Sequence, residues 1–137
     1  MNRHEVFMKR CQELARQAAQ TGNTPVGAVV VCGGIIIGEG QEATRPGNDI
    51  TCHAEVEAIR DAIRRSGESK LSDCSLYTTH EPCILCSYVI RHHQLALVVF
   101  EIAVPTVGGF TCPHPILTVT DISVWGPPPV VLQLKGD

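Results

Sequence analysis

The sequence predicts a three-layer α/β fold, on three observations. An amphipathic helix opens the chain, strand-length apolar runs then alternate with two further helical stretches, and one of those runs is apolar at nearly every position. The resulting order, helix–hairpin–helix–strand–helix–strand, calls for crossover connections and a sheet with helices packed on it.

Residues 4–19 place Phe7, Cys11, Leu14 and Ala18 at intervals of three and four, with Lys9, Arg10, Glu13 and Arg16 mostly on other faces. That is the period of an amphipathic helix. Gly22-Asn23-Thr24-Pro25 ends it. Residues 26–31 read as a strand, Cys32-Gly33-Gly34 as a tight turn and Ile35-Ile36-Ile37 as the start of a return strand, so the pair predicts a hairpin. Residues 38–51 are polar, contain glycines and a proline, and lack a period, which predicts a long connection of the kind used for binding loops.

From His53 to Arg65, Ala54, Ala58, Ile59, Ala62 and Ile63 form one stripe, and Glu57 and Asp61 can meet Arg60, Arg64 and Arg65 on the solvated side. Ser66-Gly67 stops this helix, with Thr51 as its N-cap candidate. Residues 75–78 predict a short strand. Pro82 suits the first turn of a helix running to about His92. The run 95–100 (LALVVF) predicts a strand buried on both faces. Beyond Glu101, Gly108-Gly109, Pro113, Pro115 and Gly126-Pro127-Pro128-Pro129 break every pattern, leaving 116–124 and 130–134 as alternative edge strands.

A length of 137 residues suits one domain, expected to occupy 1–137 with a divergent Gly/Pro-rich segment at 102–137. An apolar content of 44% excludes a disordered chain, and a net charge of -3 excludes a polycation. No apolar run approaches the roughly 20 residues of a bilayer span, and the first residues lack an apolar signal core, so no membrane partner and a cytoplasmic location are expected. Seven cysteines in such a chain read as reduced thiols rather than a disulfide scaffold.

Cys83 and Cys86, three apart beside a helix start, can share one face where the positive end of the helix dipole stabilises thiolates. By themselves they fit zinc ligands, a redox pair or structural thiols. His53, at the start of the other clear helix, adds a third ligand, and three protein ligands leave the fourth zinc position for water. Cys52 is a candidate closing ligand, but its side chain leaves in another direction, toward the underside of the helix start. Glu55 is placed to move protons beside such a water, or merely to compensate the helix dipole.

His53-Ala54-Glu55 followed by Glu81-Pro82-Cys83-Ile84-Leu85-Cys86 resembles the H-x-E…P-C-x-x-C signature of the zinc-dependent cytidine/deoxycytidylate deaminase superfamily. Pro25-Val26-Gly27-Ala28-Val29, Ile37-Gly38-Glu39-Gly40, Leu76-Tyr77-Thr78 and Val98-Val99-Phe100 extend the likeness to the branch of guanine and tRNA adenosine deaminases, over residues 5–101. The resemblance implies a five-stranded mixed sheet with helices on both faces, assembled as a homodimer. It also implies Zn2+ held by His53, Cys83 and Cys86, with Glu55 as proton shuttle while zinc-activated water displaces ammonia from a heteroaromatic ring.

It further implies that the Ala54 N–H meets a substrate heteroatom, that Thr24 and Pro25 shape the pocket floor, and that Thr79 and Pro82 support the ligand loop. His80, beside that loop, is not expected to ligate. Three departures qualify the match. Glu42 stands where many relatives carry a base-contacting Asn; an ionised carboxylate only accepts, favouring rings rich in N–H donors, unless Glu42 is a solvated loop residue and Asn48 makes the contact. Phe110 and His114 can wall the pocket or be ordinary core and surface residues, and Trp125 can stack, pack or lie at an interface.

Residues 92–137 carry one Lys and no Arg against Glu101, Asp121 and Asp137, where the tRNA-acting branch has a basic helix. The expected substrate is therefore a small aminated heterocycle, a purine-like base or nucleoside, with nucleic acid not expected as a partner. The alternatives are a tRNA adenosine deaminase, a catalytically silent zinc-stabilised domain and, more remotely, a thiol redox module.

Overall fold

Alternation along the first strand divides the interior into two cores. In the computed structural model, which describes residues 2–135, Ala28 and Val30 point into one cluster while Val29 and Val31 point into the other. Met1, Gly136 and Asp137, at the limits of the expected domain, lie outside the described residues. The elements are α1 (Arg3–Gln20), β1 (Gly27–Cys32), β2 (Ile35–Gln41), α2 (Ala54–Ser66), β3 (Cys74–His80), α3 (Ile84–His93), β4 (Leu97–Ile102) and β5 (Val130–Gln133), with a short 3-10 turn at Ser123–Trp125.

The strands form one mixed sheet in the order β2-β1-β3-β4-β5. β1 is antiparallel to β2 and β3, whereas β3, β4 and β5 run parallel. Met8, Cys11 and Leu14 of α1 cover one face against Val29, Val31, Tyr77 and Val99. Ala54, Ala58, Ile59 and Ala62 of α2, with Ile90 of α3, cover the other against Ala28, Val30, Leu76 and Val98. This is the expected five-stranded three-layer arrangement. Among the described residues no helix is long and apolar enough to cross a membrane.

Local chemistry accounts for the boundaries. The Asn2 side chain accepts the Glu5 N–H at 3.0 Å, capping α1. Gly67 at φ 75° closes α2 in the left-handed region. Gly33 and Gly34, with φ 60° and 78°, make the two-residue turn between β1 and β2. On the outer face of α2, Glu57 pairs with Arg60 at 2.6 Å, and Asp61 pairs with Arg64 and Arg65.

Two expectations need correction. β2 runs on through Gln41, so 38–41 is strand and not the start of a loop. The polar, glycine-rich appearance of Gly38-Glu39-Gly40 has a packing cause: a Cβ on Gly38 or Gly40 would overlap backbone atoms of Ala54, Ala58 or Ala62 on α2. The missing side chains let the helix lie directly on the strand.

Of the two alternative edge strands, 130–133 is the one that forms, parallel to β4. Residues 116–124 are instead held by Arg91, 1% exposed, whose Nη1 donates to Ile116 O at 3.0 Å and Val119 O at 2.9 Å. Its guanidinium also lies 5.0 Å from the centroid of the half-buried Trp125 ring, which meets Tyr88 edge-on.

Gly40→Ala should lower the stability by about 1–3 kcal/mol, the usual cost of overpacking, whereas Gly47→Ala, with open space around its Cβ, should change it little. Urea unfolding of the two variants checks this; equal midpoints would remove the close-packing explanation for β2.

Candidate metal centre and active site

Two helices begin at the same place. His53 is the N-cap of α2 and Cys83 the N-cap of α3; both have extended backbones and neither makes a side-chain cap bond. Their side chains are thus free to turn toward each other. Cys86, in the first turn of α3, is fully buried. Both helix dipoles direct partial positive charge at this point, which favours thiolate ligands. The caps differ from expectation: Thr51 does not cap α2, because its N–H and hydroxyl bond Asp49. Pro82 precedes the N-cap of α3 and so lies outside the first turn.

His53 Nδ1 lies 3.5 Å from Cys83 Sγ and 3.4 Å from Cys86 Sγ, and the two sulfurs are 3.7 Å apart. Tetrahedral zinc, with Zn–S near 2.3 Å and Zn–N near 2.0–2.1 Å, would space these atoms at about 3.5 and 3.8 Å. The ligand triangle therefore already has the dimensions of a zinc site. The protonation pattern agrees. Thiol donation from Cys86, against the cost of burial and helped by His53, pulls Cys83 down to about 4. Cys86 is pushed up by Cys83 and by burial, and the bond to Cys83 raises His53 to about 9. Two thiols and an imidazole share too little positive charge, and a dication supplies it by deprotonating both sulfurs.

Among the described residues, His53, Cys83 and Cys86 are the one group placed to hold a metal ion. Cys52 stands apart with its sulfur near Arg60, and His80 Nδ1 bonds Thr79 Oγ1 at 2.9 Å. Three protein ligands leave one tetrahedral position open, the arrangement of a catalytic rather than a structural zinc.

Glu55, two residues after the ligand His53, is 4% exposed. Burial pushes its carboxyl up to about 8; its own backbone N–H opposes the shift and the neighbouring Cys83 and Glu42 add to it. Glu42, half-buried, faces the same helix mouth. Its Oε1 accepts the Ala54 N–H at 3.0 Å, and burial raises its carboxyl despite that bond. The two groups expected to meet substrate, Ala54 N–H and Glu42, are thus bonded to each other.

The other expected site residues differ in exposure and in partners. Thr24 and Pro25 are exposed, and Thr24 O accepts the Val26 N–H. Asn48 is exposed at φ 52°. Thr79 is buried, its hydroxyl accepting the Gly27 N–H at 3.2 Å. Pro82 O accepts the Gly109 N–H at 2.8 Å, which joins the ligand loop to the Gly108-Gly109 segment. The partly exposed Phe110 ring meets Phe100 edge-on at 6.1 Å, and His114 is exposed, its N–H on Cys112 Sγ.

Two organising residues escaped the sequence reading. Buried Asn23 accepts the Arg45 N–H at 2.9 Å and donates to Arg45 O, anchoring the loop between β2 and α2. Glu81, 2% exposed, accepts from the N–H groups of Val104, Phe110 and Thr111 and from the Thr111 hydroxyl. Burial alone would raise its carboxyl; these donors outweigh that and hold it below the usual range. The signal for Glu81 was the Gly108-Gly109 pair, since a Cβ on Gly108 would overlap the Glu81 carboxylate.

Zinc content checks the ligand set by atomic emission. The protein should carry about one zinc per chain, Cys83→Ala and His53→Ala should lose most of it, and Cys52→Ala should keep it all. Loss of zinc in Cys52→Ala would enlarge the ligand set. Glu81→Ala should cost about 2–4 kcal/mol, because several buried N–H groups lose their acceptor, and should open residues 104–111 to limited proteolysis. An unchanged cleavage pattern would contradict the anchoring role.

A guanine deaminase of Bacillus subtilis (strain 168) is 49% identical over 84 residues, covering 61% of this chain and 54% of that protein. A tRNA-specific adenosine deaminase of Aquifex aeolicus (strain VF5) is 39% identical over 97 residues, covering 71% and 64%. The match thus spans between half and two-thirds of these relatives. A solved structure from work on A-to-I editing by tRNA:A34 deaminases superposes with a TM-score of 0.87 at 28% identity, covering 95% of this chain and 98% of that one.

These likenesses overturn the expectation that nucleic acid is not a partner. A protein named for action on tRNA is 39% identical over 97 residues and a structure from work on tRNA:A34 deaminases shares nearly the whole fold, so the net charge of residues 92–137 is no ground for excluding nucleic acid. The physical reason is that phosphate contacts depend on where individual cations stand, and the net charge of one segment does not report that. The model of one protein family, described as the cytidine and deoxycytidylate deaminase zinc-binding region, matches residues 1–102. The sheet and the zinc-sized ligand triangle agree with that match, and the chain belongs to the cytidine and deoxycytidylate deaminase family.

Proposed function

We propose that this centre hydrolytically deaminates an aminopurine ring, the leading substrate being an adenosine displayed by tRNA. The observation that carries the reading is the nearly end-to-end superposition on a tRNA:A34 deaminase, which includes the irregular segment after β4. The presence of His53, Cys83, Cys86 and Glu55 at one point supports the chemistry.

His53, Cys83 and Cys86 would hold a zinc ion, which would supply a water nucleophile at neutral pH by lowering its pKa toward about 7. Glu55 does the proton work. It accepts the proton given up by the attacking water and delivers it to the ring nitrogen beside the amine-bearing carbon. It then takes the remaining proton from the added oxygen to the amino group, which leaves as ammonia while the carbon keeps the oxygen as a carbonyl. Burial suits Glu55 to this task, because a carboxyl raised toward neutrality holds and releases a proton at comparable cost. Glu42 holds the first N–H of α2 and sets where its own second oxygen stands.

Glu42 also favours a second reading. Its other oxygen has no partner among the described residues, and a carboxylate there accepts from adjacent ring N–H groups such as those of guanine. The 49% identity to a guanine deaminase points the same way. Ammonia release from free guanine, measured beside inosine formation in tRNA transcripts, decides between them. Inosine in tRNA with inert guanine is the expected result, and the converse would replace the leading reading with the second. Glu55→Gln should keep its zinc and lose about 10²–10⁴-fold in rate on whichever substrate is active; a variant of full activity would remove Glu55 from the proton path.

A further inference from the structure

We propose that Cys32 and Cys74 form an oxidisable cross-strand thiol pair, a site of reversible disulfide formation separate from the metal centre. Cys32 is the last residue of β1 and Cys74 the first of β3, and the antiparallel register sets them opposite each other. Cys74 N–H donates to Leu71 O and Cys74 O accepts the Ala96 N–H, so the two cysteines do not exchange ladder bonds. At such a non-hydrogen-bonded position the Cα atoms stand about 4.5 Å apart and the side chains are closest. That separation lies within the span a disulfide bridges, about 4.4–6.8 Å.

Both side chains lie on the same face of the sheet. Cys74 is part of the core cluster beneath α2, and Cys32 packs against that cluster. Both are free thiols. The Cys74 thiol is pushed up to about 12, first by burial and then by its neighbour Cys32. No other cysteines outside the metal centre face each other in this way among the described residues. Cys11 points to the opposite core and bonds Tyr77 O, Cys52 lies beside Arg60, and Cys112 bonds within its own loop.

Access is asymmetric. Cys32 is partly exposed beside the exposed Gly33-Gly34 turn, whereas Cys74 is 4% exposed. Cys32 therefore meets an oxidant first. With glutathione disulfide as oxidant, the Cys32 thiolate attacks one sulfur and releases one glutathione, leaving a mixed disulfide. Cys74 then gives up its proton, attacks the Cys32 sulfur and displaces the second glutathione. The two protein thiols lose two electrons, and the disulfide bond of the oxidant takes up both. A dithiol reductant reverses the sequence.

The bond would close a loop containing β2 and α2, and thereby constrain the unfolded chain. It would form at the far end of β3 from the ligands, roughly 20 Å away at about 3.3 Å per strand residue. Zinc binding should not change while thermal stability rises.

The test uses zinc-loaded protein exposed to glutathione disulfide. We expect an intact mass lower by two hydrogen atoms, non-reducing peptide maps joining Cys32 to Cys74, full zinc content, and a melting midpoint raised by about 5 °C or more until dithiothreitol is added. Cys32→Ser should abolish the bond. Cys74→Ala should instead accumulate a glutathione adduct on Cys32, a signature that does not depend on the stability of the variant. An unchanged mass, a bond mapped to Cys83 and Cys86 or between two chains, loss of zinc on oxidation, or no adduct in Cys74→Ala would each overturn the proposal.

Discussion

The close approach of α2 to the sheet is the constraint on which the centre depends. His53 and Glu55 sit at the start of α2, so their position is the position of that helix, and Gly38 and Gly40 determine how near it comes to β2. Alanines complete the contact from the helix side: Ala54, Ala58 and Ala62 are fully buried there. Small residues on both partners trade buried apolar area for precision of placement. The trade has a chemical use, because ligand atoms must sit within a few tenths of an ångström of where zinc wants them. With α2 so held, the N-termini of α2 and α3 point at one spot.

Two buried charges then turn the Gly/Pro-rich segment after β4 into defined structure. Glu81 gathers backbone N–H groups of 104–111 and Arg91 gathers the carbonyls of 116, 119 and 126. A chain with few regular hydrogen bonds of its own leaves many backbone groups in need of partners. One acceptor-rich and one donor-rich side chain supply them, Glu81 just before α3 and Arg91 in its last turn. Among the described residues neither charge pairs with an opposite charge. Glu81 is satisfied by peptide N–H groups and the Thr111 hydroxyl, and the Arg91 Nη groups by peptide carbonyls, while the buried Arg91 Nε has no partner among the described residues. Charge-assisted bonds to backbone are strong enough to hold a loop. Glu81 also directly precedes Pro82 and Cys83, so the segment 104–111 is tied to the metal ligands through adjacent residues.

The electrostatics of the centre have one direction. Glu42, Glu55 and two cysteine sulfurs converge where two helix N-termini and one imidazole provide only partial compensation. A divalent cation held by His53, Cys83 and Cys86 would offset that imbalance. This locality is also why the count of charges along 92–137 misled. Long-range sums matter for solubility and steering, whereas recognition is decided over one or two side-chain lengths.

How much was legible in the sequence depended on the range of the interaction. Periodicity at Phe7, Cys11, Leu14 and Ala18, and again from Ala54 to Ile63, reported helices because burial of one face repeats every turn. His53, Cys83 and Cys86 were legible because ligand chemistry restricts both residue type and spacing. The extension of β2 through Gly38 and Gly40 was not, since their lack of side chains reads as loop until the helix they accommodate is known. Asn23, Glu81 and Arg91 look like ordinary polar residues in the chain; only folding brings the unpaired peptide groups of distant loops to them. The sequence by itself determined the layer order and the metal-binding residues. Tertiary structure alone decided that Glu42 bonds Ala54, that 130–133 rather than 116–124 completes the sheet, and that Cys32 faces Cys74, because each of these is a contact between segments whose separation along the chain carries no trace of it.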